Sequence, residues 1–265
     1  MTPAALRSLW YYRGFILGSV KREFQSKYTN SMLGIAWTFI QPLAMIIVYT
    51  VIFSQIMKSR LPGVESTFGY SIYLCAGVIT WGFFAEVVGR AQNVFIDNAN
   101  ILKKLSFPRL CLPIILILSS GLNFAIIFGL FIVFTVLTGN FPGWSIFLIL
   151  PVLAIQIMFS IGLGITLGVL NVFFRDIGQL FAVILQFWFW LTPIVYPASI
   201  LPSTAQLLTK FNPMSPVIAA YQNIMVHDQP PDWLSLLPTT IIGVLLCVWG
   251  LRLFQKHSGE IVDEL

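Results

Sequence analysis

Six apolar runs, each long enough to cross a bilayer as a helix, constrain this chain more than any other feature of its sequence. We place them at about residues 34–57, 70–89, 112–137, 146–170, 177–196 and 236–254. A chain of 265 residues has little left for a water-soluble domain once these runs are removed. Only 9% of the residues are charged, whereas a soluble domain carries about 25%. We therefore predict an all-α, multi-pass membrane protein with a single membrane domain.

A different apolar pattern precedes the first run. Between residues 4 and 27, apolar residues recur at spacings of three and four, and basic residues such as Lys21 and Arg22 fall between them. This pattern predicts an amphipathic helix that lies in the membrane interface. The alternative is a helix that packs on the bundle and only anchors it. We accordingly divide the chain into residues 1–33, which hold this helix and a following loop, and residues 34–265, which hold six transmembrane helices.

The distribution of basic residues predicts the orientation of the chain. Six spans leave both termini on one side of the membrane. Twelve of the 15 Lys and Arg residues fall on that side, and Lys58, Arg60 and Lys210 fall on the other. Because positively charged loops stay in the cytoplasm, we predict that both termini are cytoplasmic and that residues 197–233 face outside.

The outer segment, residues 197–233, is rich in proline and in apolar side chains. The phrases YPASILP and FNPMSP predict short helices that are broken at the prolines. The segment is apolar enough to dip into the bilayer, where non-helical backbone is tolerated only against protein or a cavity. We predict short re-entrant helices between the fifth and sixth spans, which together form a gate.

Residues that carry enzymatic or metal chemistry do not converge in this sequence. The three cysteines are far apart and lack metal-ligand spacing. GLGITLG at residues 162–168 lacks the Gly-Lys-Ser/Thr of a phosphate loop. Its Gly164 and Gly168 either let helices approach closely or mark no specific interface. His227 and Asp228 are neighbours in the outer segment, and a solvated loop is the simpler interpretation than a catalytic pair.

Glu86 is the one acidic residue inside an apolar run. A charge within the membrane is a functional hypothesis by default. Arg90 follows four residues later, so an i,i+4 ion pair near the membrane boundary also explains the carboxylate. We favour the ion pair, because a proton pathway would need further acidic residues at mid-depth.

Aromatic residues make up 15% of the chain and crowd the first, second and fifth runs. Many of them must serve core packing and the aromatic belts at the membrane surfaces. Their flat, weakly polar faces also suit sugar rings, so some are candidates for lining the path of a neutral glycan. A path for a polyanion would need Lys and Arg, which the runs almost lack. The candidates for the path are Trp37, Tyr49, Tyr73, Trp81, Phe84, Phe187 and Trp190.

Several phrases occur in an order that resembles a known family. They are YTNSMLGIAWTFIQPL at residues 28–43, NANILKKLSFPRLCLP at 98–113, NVFFRDIGQ at 171–179, and LTPIVYP and FNPMSPV further on. Together they resemble the membrane subunits of ABC-2 type polysaccharide exporters, and among these the O-antigen export permeases. The likeness covers nearly the whole chain. Capsule and teichoic acid exporters share most of these phrases, so the resemblance does not identify the transported polymer.

The resemblance implies a transport subunit, not an enzyme, which moves a lipid-linked polysaccharide from cytoplasm to periplasm across the bacterial inner membrane. It implies a homodimer that assembles with two copies of a separate ATPase. ATP and magnesium would bind that ATPase, and no cofactor is expected on this chain.

The resemblance also implies three groups of site residues. A coupling loop that docks on the ATPase would contain Asn100, Lys103, Lys104, Phe107 and Arg109. A cytoplasmic receiving loop, where the lipid-linked glycan is taken up, would contain Leu33 and Gly34. A periplasmic gate would contain Pro197, Leu201, Pro202, Phe211 and Pro213.

Three rival functions use the same residues differently. The first is an ABC-2 exporter of another substrate, such as a drug or a lipid. The second is a membrane-embedded enzyme, for example a glycan-modifying acyltransferase that would use His227 or Asp228. The third is a proton-coupled transporter that would use Glu86.

Overall fold

The computed structural model describes residues 10–26, 33–56, 66–104, 111–257 and 259–264. All regular secondary structure in these ranges is helical. The α-helices are α1 (Arg13–Ser26), α2 (Trp37–Thr50), α3 (Gly69–Ala91), α4 (Val94–Asp97), α5 (Ala99–Lys104), α6 (Cys111–Leu137), α7 (Ile149–Phe173), α8 (Asp176–Leu191), α9 (Ser203–Phe211), α10 (Met214–His227), α11 (Trp233–Lys256) and α12 (Glu260–Glu264). Short 3₁₀ segments lie at Gly34–Ala36, Trp144–Leu148 and Ala198–Ile200, and a π-helical segment follows α2 at Val51–Ile56. The all-α prediction is confirmed for the described ranges.

Four helical stretches are long and apolar enough to cross a membrane. They are α3, α6, the stretch Trp144–Phe173 that contains α7, and α11. These are the second, third, fourth and sixth predicted spans. The first and fifth predicted spans correspond to two shorter apolar helices, Trp37–Phe53 and α8.

The helix α3 lies at the centre of the bundle. In the most apolar 18-residue stretch of α3, 72% is buried inside the protein, whereas in that of α11 only 22% is buried. α3 packs on α6, α7 and α10, and α11 packs on α7 along one side. A helix that is apolar all round is expected in such a buried position. The other side of α11 exposes Leu234, Leu245 and Trp249, as expected for a helix whose outer surface faces lipid.

Close packing of α7 depends on its glycines. A Cβ atom on Gly164 would lie 2.4 Å from the Cβ atom of Ala91, and one on Gly168 would lie 2.6 Å from the carbonyl oxygen of Ala91. On Gly162, the added atom would lie 2.8 Å from the backbone nitrogen of Cys247 in α11. Real Cβ atoms essentially never come within 3.0 Å of such atoms. The close-approach interpretation of Gly164 and Gly168 is therefore confirmed.

Proline and a capping carboxylate lie near the starts of the long helices. Pro113 lies in the first turn of α6, where a backbone N–H has no helical partner to lose. Asp232 precedes α11, and its carboxylate accepts a hydrogen bond from the backbone nitrogen of Leu234 at 3.1 Å. Pro42 lies inside α2, and that helix continues to Thr50 before the π-helical segment begins.

The helix α1 packs on the bundle. Ile16 is buried against Cys111 and Ile115 at the beginning of α6, while Leu17 and Lys21 are exposed. A helix is therefore present over most of the stretch predicted for it. The packing agrees with an anchoring role, and the position of α1 in the membrane interface stays a prediction.

The outer segment breaks into short helices at its prolines, as the sequence predicts. The 3₁₀ segment Ala198–Ile200 follows Pro197, α9 follows Pro202, and α10 follows Pro213. α10 is buried against α3 and α7, with Tyr221 fully enclosed. α9 instead exposes its apolar side chains.

Candidate functional site

Two tyrosines near the start of α3 hold the bent stretch, residues 192–196, that follows α8. The hydroxyl of Tyr70 donates to the carbonyl oxygen of Val195 at 2.5 Å. The hydroxyl of Tyr73 lies 3.2 Å from the carbonyl oxygen of Tyr196 and 3.4 Å from that of Pro193. Tyr73 was predicted to line a path. In this structure its ring is buried and its hydroxyl positions the backbone beside the predicted gate.

Asn212 joins the end of α8 to the beginning of α10. Its side-chain oxygen accepts hydrogen bonds from the indole nitrogen of Trp188 at 2.8 Å and from the backbone nitrogen of Met214 at 3.0 Å. Its side-chain nitrogen donates to the hydroxyl of Thr192 at 2.9 Å. One side chain thus fixes the turn between α9 and α10 to the end of α8. Sequence reasoning treated FNPMSP only as a helix break and missed this residue.

The predicted gate residues lie at two corners of this outer region. Pro197, Leu201 and Pro202 surround the 3₁₀ segment Ala198–Ile200, whereas Phe211 and Pro213 flank Asn212. The helix α9 connects the two corners and contacts both the 3₁₀ segment and α10. Phe211 is 79% exposed, while Pro213 is half-buried.

The predicted path aromatics divide sharply by exposure. Phe84 is fully buried and Trp81 is 6% exposed, and both pack against Trp188 with ring centroids 5.3 and 6.0 Å apart. Tyr49 is half-buried beside Phe53. By contrast, three of these aromatic side chains are exposed: Trp37 is 43%, Phe187 is 67% and Trp190 is 60% exposed. A role for Trp81 or Phe84 in lining a path would need a rearrangement of this core.

The helix α8 carries a continuous exposed apolar face. The exposed residues recur at three- and four-residue spacing, which places them on one side of the helix. They are Leu180, Val183, Ile184, Phe187 and Leu191. The opposite side carries Phe181, which is buried, and Trp188, which is half-buried against α3.

The predicted receiving loop is a turn that requires glycine. Gly34 has a φ angle of 51°, in the left-handed region that L side chains rarely adopt. The carbonyl oxygen of Leu33 accepts a hydrogen bond from the backbone nitrogen of Ala36 at 3.0 Å. Leu33 itself is exposed. The turn leads directly into α2 and its exposed Trp37.

The first residues of the predicted coupling loop lie on the short helix α5, which follows α3 and α4 along the chain. Asn100 and Lys103 are exposed on α5. Lys104 is the last residue of α5, and Phe107 and Arg109 lie outside the described residues. The exposed position of Asn100 and Lys103 leaves them accessible to another protein.

Asn171, near the end of α7, connects the segment that precedes α4 to α8. Its side-chain nitrogen donates to the carbonyl oxygen of Gln92 and to the side-chain oxygen of Asn93, each at 3.0 Å. Its side-chain oxygen accepts a hydrogen bond from the backbone nitrogen of Gly178 at 2.9 Å. Because Asn171 is buried, these bonds are shielded from water. They tie the segment just before α4 to the first turn of α8, a link that sequence reasoning also missed.

Polar residues of α1, α3 and α6 form a charged cluster. The guanidinium of Arg90 pairs with the carboxylate of Glu23, and it donates to the hydroxyl of Ser120 at 2.9 Å. It also lies 3.5 Å from the carboxylate of Glu86, which accepts a hydrogen bond from Asn123 at 2.9 Å. The predicted Glu86–Arg90 ion pair is confirmed. The contribution of Glu23 was not predicted.

The outer His227 and Asp228 are both exposed. Asp228 ends α10 with a φ angle of 52°, and its carboxylate accepts a hydrogen bond from the hydroxyl of Ser145 at 2.5 Å. This contact joins the end of α10 to the turn before α7. Within the ranges that the structure covers, no three His, Cys, Asp or Glu side chains are grouped closely enough to hold a metal ion.

Comparison with known proteins finds a matching transporter family and similar polysaccharide export proteins. The family described as ABC-2 type transporter matches residues 16–226. The chain is 29% identical over 262 residues to the O-antigen export system permease protein RfbA of Myxococcus xanthus, which covers 98% of each chain. It is 29% identical over 260 residues to a protein of the same name from Klebsiella pneumoniae, with 97% of each chain covered. It is 19% identical over 238 residues to the polysialic acid transport protein KpsM of Escherichia coli, covering 89% of this chain and 91% of that one. Since the family match takes in most of the sequence, from α1 to the end of α10, this multi-pass membrane protein belongs to the ABC-2 type transporter family.

Proposed function

We propose that this chain is the channel subunit of an ATP-driven exporter that moves a lipid-linked polysaccharide of the O-antigen type across the bacterial inner membrane. The observation that carries the proposal is the similarity to O-antigen export permeases along 98% of both chains. A likeness of that extent includes every element that surrounds the candidate path, rather than one shared helix pair. Both termini would lie in the cytoplasm, in agreement with the distribution of Lys and Arg.

The chemistry of the exposed surfaces supports a glycan as the transported group. Trp37 on α2, together with Phe187 and Trp190 on α8, offers open aromatic faces. Neither α2 nor α8 contains a Lys or Arg residue. Aromatic faces contact sugar rings without strong directional bonds, which suits a polymer that must slide.

A homodimer would complete the path. Six helices of one chain scarcely enclose a glycan strand, and α2 and α8 both leave apolar faces uncovered in a single copy. Two copies related by a two-fold axis could place the same faces opposite each other. The two ATPase copies of the assembly would then dock on the two coupling loops.

The membrane topology that we propose has six spans and a re-entrant outer segment. The helix α8 has 16 residues and extends about 24 Å, which is short for a hydrocarbon core of about 30 Å. The bent stretch held by Tyr70 and Tyr73 would continue this span. The burial of α10 between α3 and α7, both long enough to span, supports its return into the bilayer.

Energy from ATP would enter through the coupling loop. Binding of ATP by the partner ATPase would move α5, and the hydrogen bonds of Asn171 would carry the movement to the first turn of α8. At the other end of α8, Asn212 contacts both Trp188 and the start of α10. The same helix would thus connect the ATPase to the gate.

Deletion of the gene in the source organism tests the proposal. We expect the surface polysaccharide to disappear and its lipid-linked form to accumulate in the cytoplasm, with rescue by the wild-type gene. An unchanged amount of surface polysaccharide would refute the proposal.

A second candidate function is export of a capsular polymer. It is supported by the similarity to the polysialic acid transport protein, although that identity is only 19%. The composition of the accumulated polymer and its lipid anchor distinguishes the two functions.

A further inference from the structure

A cavity of about 590 Å³ lies between α1, α3, α4 and α6, apart from the proposed glycan path. Its volume falls within the range of about 300–1,000 Å³ that is usual for small-molecule sites. Part of the lining is apolar and includes Phe15, Ile115 and Leu116. The charged and polar side chains of the rest of the lining form what we call the polar wall. A cavity with both kinds of lining suits an amphiphile better than a soluble metabolite.

The polar wall carries charges of both signs. Arg22 and Glu23 come from α1, Arg90 from α3 and Asp97 from α4. Arg90 is already paired with Glu23 and with Glu86. Arg22 and Asp97 thus present one further cation and one further anion to the same cavity. An anionic ligand would meet the carboxylates of Glu23 and Asp97, and a cationic ligand would meet two guanidinium groups. A zwitterion satisfies both.

The cavity is continued by a second, largely polar cavity and then by an apolar groove. This second cavity of about 330 Å³ shares Glu23 and Arg90 with the first and extends to Phe24. Phe24 also borders an open groove between α2 and α6, which is lined by Phe39, Leu122 and Ile126. The exposed surface of this groove is almost entirely apolar, as a hydrocarbon chain requires. A polar chamber thus leads into an apolar groove, in the order in which a phospholipid carries its headgroup and its acyl chain.

We propose that this cavity binds a zwitterionic phospholipid whose headgroup carries a primary ammonium, as in phosphatidylethanolamine. The phosphate lies against Arg22, the ammonium lies against Asp97, and an acyl chain follows the groove beside Phe24 and Phe39. A bound lipid would fasten α1 to α3 and α6 at the base of the coupling loop.

Native mass spectrometry of the full-length chain in detergent tests the proposal. The protein is delipidated and offered equal concentrations of phosphatidylethanolamine, phosphatidylcholine and phosphatidylglycerol with identical acyl chains. We expect roughly tenfold stronger retention of phosphatidylethanolamine than of phosphatidylglycerol, since a charged hydrogen bond is worth about one power of ten in affinity. Phosphatidylcholine, whose methylated ammonium donates no hydrogen bond, should also bind less tightly. Equal retention of the three lipids, or preference for phosphatidylglycerol, would overturn the proposal.

Two substitutions locate the site. Asp97→Asn should abolish the preference for phosphatidylethanolamine, whereas Arg22→Gln should weaken retention of all three lipids, because each of them carries the phosphate. Lys21→Gln is the matched control, because Lys21 is the exposed neighbour of Arg22 on α1 and does not line the cavity. It should leave the preference unchanged. A preference that survives Asp97→Asn, or retention of all three lipids that is unchanged in Arg22→Gln, would place the lipid elsewhere and contradict the assignment. The comparison of lipids on the wild-type chain needs no variant, so misfolding of a variant does not affect it.

Discussion

At the scale of single residues, asparagine side chains connect separate elements in this molecule. The buried Asn171 bonds to three groups and the half-buried Asn212 to four. An amide has two donors and an acceptor with two lone pairs, so one side chain can satisfy several backbone groups at once. If the amide is removed, its buried partners are left without hydrogen bonds, and this costs more than the bonds themselves contribute.

We predict that Asn171→Ala lowers the free energy of unfolding by roughly 1–3 kcal/mol, because it leaves the Gln92 carbonyl and the Gly178 amide without their partner. Thermal unfolding of the purified chain in detergent measures the effect. Asn100→Ala is the control, since Asn100 is exposed on α5, and its midpoint should match the wild type. A midpoint of Asn171→Ala equal to that of Asn100→Ala would contradict the role of this junction.

What the sequence could predict at this scale depended on distance along the chain. Glu86 and Arg90 are four residues apart, so helical geometry alone brings them together. Glu23 lies 67 residues from Arg90, and Asn171 lies 79 residues from Gln92. No local pattern marks an asparagine whose partners are on another helix, and such contacts become visible only when the helices are packed.

At the scale of elements, α7 is positioned by close backbone contacts. We predict that Gly164→Ala destabilises the protein by roughly 1–3 kcal/mol, because the new methyl group would overlap Ala91 and push α7 from α3. Gly129→Ala on α6 is the matched control, since an added Cβ there meets no atom within 4 Å. It should be neutral or stabilising by up to about 1 kcal/mol, from helix propensity. Equal unfolding midpoints for the two variants would contradict the close contact.

The predicted coupling loop gives a functional prediction at the same scale. Lys103→Glu combined with Arg109→Glu should leave the chain inserted in the membrane but separate ATP hydrolysis from export. Reversed charge at Lys103, which is exposed, and at Arg109 would weaken docking on the proposed ATPase partner. Surface polysaccharide and the ATPase activity of the isolated complex are the two readouts. Lys210→Glu, on the exposed outer helix α9, is the control. Normal export by the double variant would mean that the basic residues of this loop serve only to determine the membrane topology.

The elements themselves were predictable to an uneven degree. Apolar runs of spanning length identified α3, α6, α7 and α11, because prolines in these helices, such as Pro113 and Pro238, lie near their starts and leave the rest of each helix continuous. The run at 177–196 was predicted as one span, yet α8 ends at Leu191. Pro193 and Pro197 follow, and each lacks a backbone donor, so the helix does not continue. The chain bends there and is held by tyrosine hydroxyls instead.

At the scale of the whole molecule, exposure separates aromatics that form the core from aromatics that are free to meet a substrate. We predict that Phe187→Ala and Trp190→Ala reduce polysaccharide export several-fold while they leave the unfolding midpoint within experimental scatter. Trp81→Ala should act in the opposite way and lower the midpoint by several degrees, because it opens a cavity beside Phe84 and Trp188. Paired measurements of surface polysaccharide and thermal unfolding decide between these effects. Unaltered export by both exposed-site variants would remove α8 from the proposed path.

The most direct test of the account uses the purified complex of this chain and its partner ATPase in proteoliposomes. Lipid-linked polysaccharide is placed on the side that exposes the ATPase, and the amount that becomes accessible on the other side is followed with and without ATP. We predict ATP-dependent transfer of the polymer, together with faster ATP hydrolysis when the glycan-loaded lipid is present. Equal transfer without ATP, or the same rate of ATP hydrolysis with and without the glycan-loaded lipid, would contradict this prediction.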